Sequence, residues 1–201
     1  NPVTGAPINR LYESVDGGQN WVNLRTTGAN NTFLNITPRV IALATYQGAY
    51  APDPRFPNVI EGLPNTPDQG TIYVSNGSVI RVTKNRGNLW VDTNFVVPSE
   101  TLNVNGTPTV VSGTITDIAV NPVNRDEVYA TVTMRPGVSG GRVWRSLDAG
   151  RTWTDITGTF DPFPADSDRG PLPNIPVYKV VIDPRSGNLY VGTDNGVWQL
   201  T

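Results

Sequence analysis

The sequence predicts an all-β fold made of repeated antiparallel sheets of four strands, and three observations support this prediction. The chain of 201 residues contains 20 glycines and 18 prolines but only 16% charged residues, a composition rich in turn formers and poor in charge. Its apolar segments are short, alternating and rich in Val, Ile, Tyr and Thr, as in strands. A polar hairpin that ends on tryptophan occurs three times, at residues 14–21, 83–90 and 146–153. Such repetition indicates that one structural unit recurs along the chain.

The third copy of the repeat shows the order of its strands most clearly. Strands are predicted at residues 115–120, 127–132 and 142–145, and the first of them ends at an Asn-Pro pair. The third strand leads into the hairpin at 146–153, and a fourth strand begins at Trp153. The unit is therefore four strands, with the polar hairpin between the third and the fourth.

The fourth copy repeats this order and gives the spacing. Strands are predicted at residues 178–182, 188–193 and 196–200, and the central tyrosines of the two copies, Tyr129 and Tyr190, lie 61 residues apart. We interpret the end of the last strand as a true C-terminus. The absence of an initiator methionine and the incomplete first copy indicate that upstream sequence is missing.

The first and second copies are less regular. In the second, strands are predicted at residues 39–44, 70–75 and 78–82, and an insertion with five prolines, residues 51–69, separates the first two strands. Insertions of this kind are most often surface loops. Of the first copy, only the third and fourth strands are present. We therefore divide the chain into a partial unit at 1–35, units at 36–105 and 106–165, and a partial terminal unit at 166–201.

The composition excludes several classes of function. The chain has no cysteine and no histidine, which removes disulfides, the usual zinc ligands and the Ser-His and Cys-His nucleophile pairs. The net charge of −2 and the pI near 5.1 provide no basic face for phosphates, so nucleic acid is not an expected partner. No apolar run approaches the roughly 20 residues of a membrane-spanning helix, and we expect no membrane insertion.

The repeated hairpin has a structural interpretation in terms of its residue types. A hydroxyl and a carboxylate near a turn accept hydrogen bonds from backbone N–H groups, glycine supplies a positive φ, and tryptophan buries apolar surface between neighbouring sheets. The residues in these four roles are Ser14, Asp16, Gly18 and Trp21; Thr83, Asn85, Gly87 and Trp90; and Ser146, Asp148, Gly150 and Trp153.

The first and third hairpins resemble the Asp-box, or BNR repeat, of sialidase-like, xyloglucanase-like and sortilin-like β-propellers; the second resembles a degenerate copy in which Asn85 replaces the aspartate. The resemblance implies a β-propeller with four-stranded antiparallel blades, of which this chain holds about three as a partial ring. It also implies that the box lies away from the ligand-binding face, so that Asp16 and Asp148 are structural. Other blades of a longer chain, or neighbouring subunits, would complete the ring.

The resemblance leaves two main classes of function open, besides a third class, a lumenal or periplasmic assembly factor. The first is a non-catalytic binding or structural module of a secreted, periplasmic or cell-surface bacterial protein, with a glycan or protein ligand. Its recognition surface would consist of the loops before the first strand of each blade and the insertions at 51–69 and 159–176. The alternative is part of a glycoside hydrolase acting on polysaccharide or sialoglycan. Fold analogy by itself does not choose between them.

A glycoside hydrolase needs two carboxylates about 5 to 10 Å apart across its substrate. The candidates in the predicted loops and strand ends are Asp117, Asp161 and Asp166, followed by Asp53, Glu61 and Asp168. Oxygen ligands such as those at 161–168 also bind calcium, but the DxDxDG spacing is absent, and we expect no metal site and no cofactor. The Arg-Ile-Pro segment expected of a sialidase is absent as well.

A small basic cluster lies around the second hairpin. Its members are Arg81, Lys84 and Arg86. A cluster of this size is typical of a solvated sheet edge that discourages pairing between molecules.

Overall fold

The computed structural model describes residues 11–24, 36–44, 53–56, 70–87, 89–134, 142–158 and 172–200. Within these residues every regular element is a strand, and every strand pair is antiparallel. The strands are β1 (Tyr12–Glu13), β2 (Val22–Asn23), β3 (Val40–Leu43), β4 (Ile72–Ser75), β5 (Ile80–Thr83), β6 (Val91–Asp92), β7 (Ser99–Val104), β8 (Thr107–Ser112), β9 (Thr114–Asn121), β10 (Asn124–Thr133), β11 (Val143–Ser146), β12 (Thr154–Asp155), β13 (Val177–Ile182), β14 (Leu189–Thr193) and β15 (Gly196–Leu200).

The strands form five sheets within the described residues, and four of these follow one another along the chain as the repeated units. The first sheet is the pair β1–β2, the second has the order β3-β4-β5-β6, the third has the order β9-β10-β11-β12, and the fourth has the order β13-β14-β15. The second and third sheets each contain the four strands of one predicted repeat, in sequence order. The structure thus confirms the all-β fold and the antiparallel four-stranded sheets predicted from the alternating segments.

Each sheet packs face to face on the next, and three apolar cores lie between them. Strand β10 contributes to two of these cores because its alternate residues are buried on both faces. The core between the first and second sheets contains Ile72, Val74 and Trp90, with Leu11 and Leu24 against them. The core between the second and third contains Tyr73, Val82, Phe95, Ile118, Val128 and Ala130. The core between the third and fourth contains Tyr129, Val143, Val177, Val180, Leu189 and Val191.

An additional hairpin, β7–β8, lies between the second and third sheets in the sequence, and the sequence analysis did not predict it. Its turn is Asn105-Gly106, with φ of 53° and 83° at the two residues, and the predicted boundary between units at 105/106 falls at this turn. Both strands are mostly exposed. The Asn-Gly pair is a strong hairpin signal when alternating residues flank it, so the sequence contained the information.

The antiparallel order gives the sheets two distinct ends. The connections from first to second strand and from third to fourth strand lie at one end, which we call the hairpin end because it carries the Ser/Thr-to-Trp turns. The connections from second to third strand, and from one sheet to the next, lie at the opposite end. Ile115 at the start of β9 donates its N–H to Gly77 O at this opposite end, at 2.8 Å.

Candidate functional site

The hairpin of the third sheet is closed by one hydroxyl and one carboxylate. Ser146 Oγ accepts the N–H of Gly150 at 2.8 Å and donates to Asp148 Oδ1 at 2.8 Å. Asp148 Oδ1 also accepts the N–H of Thr152 at 2.9 Å, and its Oδ2 accepts the Thr152 hydroxyl at 2.7 Å. The two side chains therefore satisfy backbone groups that the strand ladder leaves unpaired.

The first hairpin has the same bonds. Ser14 Oγ accepts the N–H of Gly18 at 2.7 Å and donates to Asp16 Oδ1 at 2.8 Å. The carboxylate of Asp16 accepts both the N–H and the side-chain amide of Asn20, at 2.9 and 2.6 Å. The hydrogen bond from the backbone of Asn20, with those from the side chains of Asn20 and Ser14, lowers the pKa of Asp16 to about 2.

The second hairpin keeps the arrangement although it has no aspartate. Thr83 Oγ1 accepts the N–H of Gly87 and donates to Asn85 Oδ1, both at 2.9 Å. Asn85 Oδ1 accepts the N–H of Leu89, also at 2.9 Å. An amide oxygen therefore replaces the carboxylate oxygen in this turn, which identifies the oxygen acceptor, rather than the charge, as the element that all three turns share.

The glycine of each hairpin has the positive φ that the sequence predicts. The values are 93° at Gly18, 85° at Gly87 and 84° at Gly150. The preceding residue is also left-handed in each case, and in the third hairpin it is Ala149 with φ of 56°. In the third hairpin the N–H of Gly150 reaches Ser146 Oγ, whereas the N–H of Ala149 bonds Asp126 O at 2.8 Å. The glycine makes this left-handed conformation possible at low cost.

The tryptophans of the hairpins differ in burial. Trp90 is 7% exposed in the core between the first and second sheets, and the ring of Trp153 lies edge to face with Phe95 at 4.9 Å between centroids. Trp21 is 63% exposed. The prediction that each tryptophan is buried between sheets is therefore wrong for Trp21 in the part of the chain that the structure describes.

A buried ion-pair cluster connects the second and third hairpins at the hairpin end. Its centre is Asp53, whose Oδ1 accepts Arg55 Nε at 3.1 Å and Arg151 Nη2 at 2.8 Å. The other oxygen, Oδ2, accepts Arg55 Nη2 at 2.9 Å and lies 3.0 Å from Lys84 Nζ. Lys84 Nζ also donates to Asp126 Oδ1 at 2.5 Å. Three cations from three different segments therefore surround one carboxylate.

This cluster changes the interpretation of two residues. Lys84 is only 3% exposed, so the prediction of a solvated basic edge is wrong for this lysine. Asp53 is buried; burial raises the pKa of its carboxyl, but the hydrogen bonds from Arg55 and Lys84 outweigh burial and hold the pKa well below its usual range. A carboxylate in this state remains ionised and is not available as a general acid.

Arg55 connects the Asp53 cluster to the turn of the third hairpin. Its Nη2 donates to the backbone oxygen of Ala149 at 2.9 Å, in addition to its bond with Asp53. The described part of the proline-rich insertion, residues 53–56, therefore lies against this hairpin. It lies at the hairpin end, whereas the described part of the other predicted recognition segment, residues 172–176, lies at the opposite end, where Asn174 bonds Arg142.

The candidate carboxylate Asp117 connects two sheets. It is 6% exposed on β9, and its Oδ2 accepts the N–H of Val180 on β13 at 3.0 Å. Lys179 Nζ lies 3.0 Å from the same oxygen and donates to Oδ1 at 3.1 Å. Asp117 therefore connects the third and fourth sheets, and both of its oxygens have partners on β13.

The structure brings together a Tyr–Glu pair that the sequence analysis did not identify. Tyr129 donates its hydroxyl to Glu127 Oε1 at 2.7 Å, the same oxygen accepts Arg145 Nε at 2.8 Å, and Glu127 Oε2 accepts the side-chain amide of Asn121 at 2.7 Å. Burial and the hydrogen bond to Glu127 raise the pKa of Tyr129 to about 12. A phenol with a raised pKa is a weak nucleophile at neutral pH. The Tyr129–Glu127 pair therefore stabilises the sheet, and Tyr129 does not have the properties of an activated nucleophile.

The remaining candidate carboxylates, Glu61, Asp161, Asp166 and Asp168, lie outside the described residues. Within the described ranges, no three or more Asp or Glu side chains come together in a metal-binding arrangement. No helix of sufficient length and apolarity to cross a membrane occurs in these ranges.

An apolar pocket of about 270 Å³ lies between the outer strands of the third and fourth sheets. It is open to solvent beside β15, the edge strand of the fourth sheet. Its apolar lining includes Val143, Ile156, Leu172, Leu189, Val191, Trp198 and Leu200.

A scan of protein-family models finds no match to this chain, and a comparison with curated proteins finds no significant relative.

Proposed function

We propose that this chain is a segment of an Asp-box β-propeller that serves as a non-catalytic binding or structural module. The hydrogen bonding shared by the three hairpins supports the Asp-box interpretation, because the same donors and acceptors recur at each turn. The stacking of successive four-stranded sheets is the packing that a propeller requires. The outer face of the fourth sheet carries exposed Tyr178, Val181 and Val197, which a further blade would cover.

The non-catalytic proposal depends on the contacts of Asp53 and Asp117, the two candidate carboxylates that lie in the described residues. Asp53 is surrounded by Arg55, Lys84 and Arg151, and Asp117 accepts a backbone N–H of the neighbouring sheet. A hydrolase needs one carboxyl protonated and aimed at the leaving group. Both carboxylates are instead held by donors from other segments of the chain, and both contribute to contacts between these segments.

The ligand surface of the proposed module lies at the opposite end of the sheets. In the Asp-box propellers that the chain resembles, the Asp-box lies away from the ligand-binding face. In this chain the Asp53 cluster lies at the hairpin end, beside two of the Asp-box turns. The proposal therefore places recognition on the connections that lead into β9 and β13, and it removes the 53–56 segment from that surface. A secreted, periplasmic or cell-surface bacterial origin remains part of the proposal through the resemblance.

Hydrolysis assays on the 201-residue chain test this proposal. Fluorogenic aryl sialosides and aryl glucosides, together with xyloglucan, should show no turnover above the buffer rate. Turnover that is lost on changing Asp161→Asn or Asp166→Asn, with an unchanged melting temperature, would overturn the proposal in favour of the hydrolase. Asp117→Asn is the matched control. It should lower the melting temperature but leave the measured rate of hydrolysis unchanged.

A further inference from the structure

The hairpin β7–β8 forms a two-stranded sheet of its own, and within the described residues neither of its strands pairs with a third strand. The two-residue turn at 105–106 sets which residues face the outer edges. Val104 and Thr107 flank this turn and pair with each other, and alternate pairs along the ladder then exchange hydrogen bonds within the hairpin. The base of the hairpin agrees with this alternation, because Gly113 donates its N–H to Pro98 O at 2.8 Å.

The two edges of the hairpin differ in the groups that they present. On β7 the outward-facing residues are Ser99, Thr101 and Asn103, and each directs its main-chain N–H and C=O away from β8. The outward-facing positions of β8 lie opposite these, and one of them is Pro108, which has no N–H to donate. Proline is one of the features that block pairing at a sheet edge. The edge of β8 is therefore interrupted, whereas the edge of β7 is continuous.

Strand β7 also lacks the other features that protect an edge from pairing. Its six residues, SETLNV, contain one charge, at Glu100, and no lysine, and its pairing with β8 runs without a bulge. The outward-facing residues Ser99, Thr101 and Asn103 are exposed. Leu102, on the other face, packs against the core between the second and third sheets. The strand is therefore held in place with its edge open to solvent, as a site of strand addition requires.

We propose that β7 pairs antiparallel with β7 of a second copy of this chain, across a two-fold axis at Thr101. In this register Thr101 faces its own copy, and Ser99 faces Asn103 of the other copy. Three residue pairs then exchange main-chain hydrogen bonds, and their hydroxyl and amide side chains lie opposite one another, where such groups stabilise a sheet. The single charge of the strand, Glu100, faces Leu102 of the other copy.

The neighbouring registers are less favourable. An axis at Glu100 leaves two hydrogen-bonded pairs and places Glu100 directly opposite its copy, which is destabilising. An axis at Leu102 also leaves only two pairs. Because Pro108 interrupts the edge of β8, the assembly closes at two copies and does not extend into a fibre. This pairing goes beyond the proposed function, since it depends neither on the Asp-box turns nor on the closure of a ring.

Sedimentation velocity at several concentrations tests the association with a matched pair of proline variants. The 201-residue chain should form a weak dimer with a Kd on the order of 100 µM, because one pair of edge strands makes a small interface. Thr101→Pro removes two of the hydrogen bonds between the copies and should weaken dimerisation by about tenfold or more. Val110→Pro is the control, since Val110 pairs with Thr101 and directs its N–H to the other edge; its Kd should remain within about twofold.

Cysteine substitutions locate the contact, because the chain has no cysteine of its own. Thr101→Cys places two thiols on adjacent strands, about 5 Å apart, whereas Val110→Cys places them about three strand spacings apart. A bismaleimide too short to span three strands should therefore join Thr101→Cys into a dimer and leave Val110→Cys monomeric. A mixture of Ser99→Cys with Asn103→Cys checks the register, since it should crosslink faster than either variant does by itself.

A measurement on the unaltered chain avoids any effect of the variants on folding. The amide protons of Ser99, Thr101 and Asn103 should exchange more slowly at concentrations above the Kd than below it, while those of β8 should not change. A sedimentation coefficient that is constant up to about 1 mM would overturn the proposal. Dimerisation that Thr101→Pro leaves intact would also overturn it, because the contact would then lie on another surface. Equal crosslinking of Thr101→Cys and Val110→Cys would have the same meaning.

Discussion

The hairpins at 14–21 and 146–153 have the same hydrogen bonds but different surroundings. In both, the serine hydroxyl accepts the glycine N–H and the aspartate accepts the N–H four residues later. The third hairpin, however, is docked on the second sheet: Asn94 donates its N–H to Gly150 O and its side-chain amide to Arg151 O, both at 2.8 Å. The first hairpin has its tryptophan largely in solvent.

The difference separates local turn chemistry from tertiary docking. An added Cβ at Gly150 would lie 2.5 Å from Thr93 Cγ2, whereas at Gly18 the nearest atom is in Trp21 of the same hairpin, at 3.9 Å. The turn therefore forms in this chain both with and without a neighbouring sheet against it. Its contribution to stability depends on whether a neighbouring sheet covers it.

The largest expected effect comes from removing the carboxylate that holds the second and third hairpins together. Asp53→Ala leaves Lys84 buried without one of its two carboxylates, and breaking a buried pair in this way costs about 3 to 5 kcal/mol of unfolding free energy. Denaturant unfolding measures the loss. The control is Asp92→Ala, whose partner Arg81 it meets at an exposed site, with an expected loss below about 1 kcal/mol. Equal losses in the two variants would show that the cluster does not hold the hairpins.

The glycine pair tests the docking directly. Gly18→Ala introduces only the strain of a left-handed residue, about 1 to 2 kcal/mol. Gly150→Ala adds the clash with Thr93, about 1 to 3 kcal/mol more. Denaturation of the two variants side by side gives the difference, and indistinguishable values would mean that the contact with Thr93 relaxes without cost.

The tryptophan pair compares the same residue type in the two surroundings. Trp153→Ala removes the edge-to-face contact with Phe95 and part of the core, with an expected loss of about 2 to 3 kcal/mol, less than for a fully buried tryptophan. Trp21→Ala should stay within about 0.5 kcal/mol of the parent. Thermal unfolding followed by circular dichroism measures both, and a loss at Trp21 as large as at Trp153 would contradict the difference in burial.

The smallest effect concerns the charge of the turn carboxylate. Because Asn85 makes the same backbone bond in the second hairpin, Asp148→Asn should cost less than about 1 kcal/mol at pH 7. Burial raises the pKa of Asp148, but the hydrogen bonds from Thr152 and Ser146 outweigh burial and lower it.

The depressed pKa of Asp148 fixes the sign of the pH dependence. The stability that this carboxylate contributes is present above its unfolded pKa of about 4 and is lost as the pH falls through the lower folded value. The difference in stability between the parent and Asp148→Asn should therefore shrink between pH 5 and pH 2, as measured by urea unfolding. A difference that is constant over this range would show that the charge plays no part.

The strands and the turns were predictable from the sequence because both depend on neighbouring residues. The alternation of apolar and polar residues predicted β14 and β15 to within one residue at each end. The positions of the hairpin glycines predicted the residues with a positive φ. The β7–β8 hairpin was missed although Asn105-Gly106 marks it, because its flanking residues are mainly polar and its strands lie outside the repeat.

The candidate site was less predictable because its partners are remote along the chain. Asp53 and Arg151 are separated by 98 positions, and nothing in the local sequence of either residue indicates the other. Asp117 was identified as a candidate from its place on a strand, but its bond to Val180 depends on how two sheets stack. Tyr129 was identified as a landmark of the repeat, and only the fold placed its hydroxyl on Glu127.

The sequence by itself determined the order of the strands, the phase of the repeat and the internal structure of each hairpin, because these depend on alternation, on a positive φ and on hydrogen bonds over two to four residues. Only the tertiary structure decided which hairpin is docked, which lysine is buried and where the pocket beside β15 opens. These depend on which faces of successive sheets meet, and that contact is made by residues far apart in the chain.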